Sequence, residues 1–101
     1  MHLTESQKKQ LRALAHPKKP VVMVGNQGLT DRVMKEIGSA LEIQELIKIK
    51  VRADDRKKRN ALIEQIVEAH DCLLILRVGN VATFFKQNAE KPKIELKPAG
   101  E

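Results

Sequence analysis

Apolar positions along the chain switch between a helical and a strand period, and the switches mark out seven elements. Thr4 with Gln7 three residues on makes a capping box, and Leu11, Leu14 and Ala15 follow at helical spacing, which predicts a helix over 4–15. His16-Pro17 ends it, because the residue before proline is pushed out of the α region. The short apolar run "VVMV" then reads as a strand, and Thr30 caps a second helix whose stripe is Val33, Met34, Ile37 and Leu41. "ELIKIKVR", 45–52, alternates, with Ile47, Ile49 and Val51 on one face and Lys48, Lys50 and Arg52 on the other. Asp54 or Asp55 opens a third helix, with Leu62, Ile63, Ile66 and Val67 as its stripe, ending near His70. "CLLILRV" is short and wholly apolar apart from Arg77, so it reads as a strand covered on both faces. Gly79-Asn80 turns the chain into a last strand, "VATFF". The order α-β-α-β-α-β-β predicts a single-domain α/β sandwich over 1–86, a mixed four-stranded sheet with helices packed on it. Residues 87–101 read as a C-terminal tail, its "IEL" run the part suited to lie against the body.

Composition narrows what such a domain can do. There is no Trp or Tyr, and Phe84 and Phe85 are the only aromatics, which disfavours folds that read nucleic acid on a platform of stacked rings. A lone cysteine, Cys72, excludes an internal disulfide and fits a reducing compartment. With no signal-peptide pattern and no run long enough to cross a bilayer, the expectation is a soluble, cytoplasmic protein without a membrane partner, monomeric by default for so small and charged a chain. No metal-ligand spacing or cofactor motif is present, so no metal and no cofactor are expected. His70-Asp71-Cys72 invites a catalytic reading, but neighbours in sequence seldom form a productive triad, and a non-enzymatic protein is expected.

The net charge of +6 points to a polyanion, and its distribution says where. Lys8, Lys9, Arg12, Lys18 and Lys19 stand against Glu5 in the first twenty residues, just ahead of Gly25-Asn26-Gln27-Gly28. A Gly-x-x-Gly turn at the head of a helix lets the main chain approach a ligand closely and offers free N–H groups to a phosphate. KH domains clamp RNA with such a loop between two helices, whereas here it joins strand to helix, and the residues of dinucleotide and P-loop motifs are absent. If the first helix packs beside the turn, Lys8, Arg12, Lys18 and Lys19 converge with its amides on one RNA backbone track that supplies affinity and reads little sequence. Lys48, Lys50 and Arg52 are second-tier candidates, better explained as the solvated face of a strand. "RKKR", 56–59, is offset by Asp54, Asp55, Glu64 and Glu68 and reads mostly as a solvated helix start.

The run "LAHPKKPVVMVGNQGLT", with "ALEIQELIKIKV" and "DDRKKRNALIEQI", resembles the YhbY family, the stand-alone bacterial form of the CRM (chloroplast RNA splicing and ribosome maturation) domain, from Leu3 to about Phe85. The resemblance implies a fold similar to the C-terminal domain of bacterial translation initiation factor three. It also implies ribosomal RNA and large-subunit precursors as partners, in the role of an assembly factor. The family's loop falls on Gly25, Asn26, Gln27 and Gly28, and its basic surface on Lys8, Arg12, Lys18 and Lys19. Relatives often end the last strand in Tyr-Arg, where this chain has Phe85-Lys86, so these two join the second tier. The rival expectation is a protein-interaction module that docks on a ribosomal protein without touching RNA.

Overall fold

The computed structural model describes residues 2–98, and its elements follow the expected order. Helix α1 spans Glu5–Ala15, strand β1 Pro20–Val24, helix α2 Asp31–Gln44 and strand β2 Leu46–Val51. Helix α3, Arg56–His70, leads into the hairpin of β3, Leu73–Val78, and β4, Val81–Phe85. The Thr4–Gln7 capping box is formed in both directions. Thr30 caps α2 by accepting from the Val33 N–H at 3.2 Å, and Asp55, not Asp54, caps α3 by accepting from the Lys58 N–H at 2.8 Å.

The sheet is mixed, in the order β1-β2-β4-β3. β1 and β2 are parallel, and β4 lies antiparallel to both β2 and β3. Helices α2 and α3 cover one face, where Ile37, Leu41, Ile63 and Ile66 close over Val22, Val24, Ile47, Ile49, Val51 and Phe84. Helix α1 covers part of the other face, with Leu11 and Ala15 against Leu46 and Phe85. Strand alternation makes this possible: Leu46 and Ile47, like Phe84 and Phe85, are neighbours in sequence that enter cores on opposite sides.

Two expectations need correcting. β3 is not covered on both faces: the hairpin inserts β4 beside β2, which pushes β3 to the edge and leaves Leu74, Leu76 and Val78 exposed. Both edge strands carry a register shift, between Pro20 and Val22 and between Leu74 and Leu76, a common way of spoiling an edge as a template for further pairing. The second correction is at Glu45, which is not part of β2. It ends α2 with φ 63° and ψ −40°, in a region that favours glycine, and its side chain is fully buried. The conformation turns its carboxylate onto the tail. One oxygen accepts from the N–H groups of Lys93 (2.8 Å) and Ile94 (2.7 Å), and the other from that of Asn88 (2.6 Å). Burial pushes this carboxyl up, but the three amides and the Lys93 ammonium together hold it below its usual value of 4.5. Pinned there, the tail runs along α1. Gln7 donates to Lys97 O, and Gln10 donates to Glu95 O and accepts from the Lys97 N–H, while Ile94 and Leu96 pack over the α1 core.

Candidate nucleic-acid interface

Because β1 and β2 are parallel, the segments that follow them leave the sheet at the same end. One is the glycine turn, after Val24, and the other is Arg52–Asp55, leading into α3. The two are tied together by the Arg52 N–H donating to Val24 O at 3.0 Å. The β3–β4 turn joins them, since the Val51 N–H donates to Asn80 O and the Arg59 guanidinium to Asn80 Oδ1 at 2.9 Å.

Within the glycine turn the Gly28 N–H donates to Gly25 O at 3.0 Å, closing a four-residue turn. A turn of this kind uses the N–H of its fourth residue only, so the amides of Asn26 and Gln27, both exposed, stay available to a ligand. Its two glycines are there for different reasons. Gly28 has φ +72°, which asks for glycine. Gly25 has no positive φ, and a Cβ built on it meets nothing within 4 Å. Neither backbone nor packing requires a glycine at 25, and what the missing Cβ leaves is open room for something outside the chain to come close.

Across a groove from the turn stand Arg52 and the first turns of α3. Lys58 is engaged with Asp54 at 3.3 Å, while Arg56 and Lys57 are exposed. The "RKKR" segment therefore belongs to the glycine-turn end, a position that charge counting along the sequence did not bring out. The signal was in the topology, because parallel β1 and β2 require it.

The expected convergence of Lys8, Arg12, Lys18 and Lys19 on the turn is not what the structure brings together. The Lys18 N–H donates to Ala15 O at the exit of α1, and Lys19 precedes β1, whereas the turn follows β1, a strand's length or about 17 Å away. Helix α1 packs on the sheet where Leu46 pairs with Phe85 and Phe85 with Leu73, the end opposite the turn. Lys8, in contact range of Glu5 at 3.5 Å, lies towards β3, beside Leu73 and Ile75. Arg12 is a turn further along the same half-exposed helix.

The second-tier residues divide. Lys48 and Lys50 lie on the α1 face of β2, and Arg52, just past the end of that strand, stands at the glycine turn, so the three follow one another along β2 from the exit of α1 to the turn. Lys48 is half-buried and donates to His16 O at 3.4 Å, where a cation suits the C-terminal end of α1. Phe85 is fully buried beneath α1 and has no face to offer a base, so the stacking expected of it is not available. Lys86, exposed, follows β4 at the end away from the turn, its N–H donating to Glu45 O. The His70-Asp71-Cys72 run is no nucleophile site in this state, because burial pushes the Cys72 thiol up to about 11 and keeps it protonated.

Comparison with known proteins agrees with the fold. The family model for the CRS1 / YhbY (CRM) domain matches residues 3–86. The chain is 36% identical over 94 residues to the Bacillus subtilis "Probable RNA-binding protein YqeI", covering 93% of this chain and 98% of that one. An "RNA-binding protein" of Haemophilus influenzae is 38% identical, with 93% and 94% covered. The solution structure of SAV1595 from Staphylococcus aureus superposes with a TM-score of 0.79 at 32% identity, covering 95% of this chain and 100% of that one.

Proposed function

The chain belongs to the CRS1/YhbY (CRM) domain family, and from that premise we propose that it is a non-catalytic RNA-binding protein of the cytoplasm that associates with large ribosomal subunit precursors and assists their assembly. The observation that carries this reading is Gly25, a glycine the fold itself does not need, in a turn with free amides opposite Arg52. An RNA backbone enters at Asn26 and Gln27 and at Arg52, and runs down the Lys50–Lys48 column towards Lys18, Lys19 and Arg12. Phosphate contacts of this kind give affinity with weak sequence preference.

Filter binding of ribosomal RNA fragments across a salt series tests it. Steep salt dependence is expected, and affinity indifferent to salt and unchanged by Arg52→Glu would overturn the reading.

A second reading rests on a different observation. The part of the α1 face that α1 leaves open carries Met23, 55% exposed, and Val78, 66% exposed, in one cross-strand row with Lys50 and Val81. Such a row suits a protein surface better than bases, since no ring stands on it. Gradient co-sedimentation with subunits, with and without nuclease, separates the two: association that survives nuclease favours protein docking.

A further inference from the structure

The groove between the glycine turn and α3 differs in chemistry from its rim. Its rim carries the phosphate-binding groups, the turn amides on one side and Arg52 on the other. Its floor is Ala53, Ala61 and Leu62, aliphatic and without a side-chain donor. The one carboxylate lining it, Asp54, is paired with Lys58. A phosphate lowered into this groove would leave the turn amides and Arg52 behind, find the one other cation lining it, Lys58, already engaged by Asp54, and meet that carboxylate. A nucleobase has the opposite preferences: its flat face buries aliphatic surface, and its N–H groups can donate to Asp54.

We propose that this groove seats one unpaired base, so that the RNA bound here is bulged, looped or single-stranded where it passes the glycine turn. The inference rests on the reading that the turn grips RNA backbone, and it names the form of RNA gripped. A base inside an A-form helix is stacked and paired, with both faces covered by its neighbours and its major-groove edge out of a side chain's reach. A paired helix can therefore lay its phosphates on the rim but cannot fill the floor, and a nucleotide has to leave the stack to do so. The bareness of Gly25 fits the same geometry, because a strand turning one base inward must bring its backbone close to the turn. Aliphatic contact discriminates poorly among bases, so the seat selects for an unpaired nucleotide more than for its identity. Phe84 and Phe85, both fully buried, can supply no ring to sharpen that choice.

The test is fluorescence anisotropy with three labelled RNA hairpins that differ at one position: fully paired, with a single-nucleotide bulge, and with the same bulge made abasic. The bulged hairpin is expected to bind roughly tenfold more tightly than the paired one, the gain that burying about 50 Å² of apolar surface supplies. The abasic bulge, which keeps the phosphates and the kink, should lose that gain. Ala61→Leu, at an exposed helical position where leucine is well tolerated, fills the floor and should remove the difference between bulged and paired RNA. Equal affinity for all three hairpins would overturn the base seat while leaving backbone binding standing. Failure to bind any of them would overturn the RNA reading and the seat with it.

Discussion

The two ends of the sheet are built on opposite terms. At the α1 end, where Leu46, Phe85 and Leu73 pair, contacts within the chain dominate: Glu45 takes three tail amides, Gln7 and Gln10 hold the tail to α1, and Leu11, Ala15, Leu46 and Phe85 are buried together. At the glycine-turn end the groups are left outward, with exposed turn amides, an unneeded Cβ position at Gly25, and exposed cations at Arg52, Arg56 and Lys57. Stability is concentrated at one end and binding capacity at the other, so substitutions should sort by end.

The largest expected effect is at Glu45. Removing its carboxylate strands three buried or half-buried amides, and Glu45→Ala should cost about 3 kcal/mol in urea denaturation. RNA affinity measured well below the melting temperature should not change. The pH dependence has a definite sign. The folded carboxyl lies below 4.5, so its contribution is fully present above that value and is lost as pH falls through the lower folded value. Glu45→Gln should flatten the acid limb of the stability profile. An unchanged limb would show that the clasp contributes little.

The second prediction turns the comparison into a measurement of RNA length. Arg52→Glu should weaken binding of even a short oligonucleotide by about 2 kcal/mol, close to thirtyfold, and reduce the salt slope by about 0.7 for the lost phosphate. The double reversal Lys18→Glu, Lys19→Glu should leave that short oligonucleotide alone and weaken only RNA long enough to run the length of β2. Equal losses on short RNA would mean that the two ends act as one site.

Much of this organisation could be read in the sequence, and what could not has identifiable causes. Caps and periods placed the helices and strands because they are local effects: the Thr4–Gln7 box, Thr30, and the alternation of β2 each act within a few residues. The sheet order is not local. "CLLILRV" has the composition of a central strand and yet lies at the edge, because hairpin closure decided which strand β2 would pair with. Glu45 looked like the first residue of a strand, since its partners are more than forty residues away. The glycine turn was legible as a motif, but its neighbours were taken from nearness along the chain, which put Lys18 and Lys19 beside it. Parallel strands require the reverse: the residues before β1 go to one end, and those after β1 and β2 go together to the other.

Gly25 and Gly28 give a smaller and cleaner contrast within a single turn. Gly28→Ala forces a Cβ onto φ +72° and should cost about 1 kcal/mol of stability. Gly25→Ala should leave stability within about 0.5 kcal/mol or raise it slightly, while lowering RNA affinity about tenfold. Thermal melts beside filter binding separate the two. If Gly25→Ala binds RNA like the parent, the backbone does not approach the turn from that side.

The smallest effect is at Lys48, the column residue nearest the α1 exit, which belongs to both ends. Its ammonium meets His16 O at 3.4 Å, where the C-terminal end of α1 favours a cation, and it also begins the basic column towards Arg52. Lys48→Met keeps the aliphatic stem that packs on the sheet and removes only the charge. The structural share should then appear as about 0.5 kcal/mol of stability at low salt, fading as salt screens the half-exposed contact. The RNA share should appear as a change in salt slope on long oligonucleotides and none on short ones, because Lys48 lies below the reach of a strand held only at the turn. A loss of stability with no change in slope would assign Lys48 wholly to α1 and end the backbone track at Lys50.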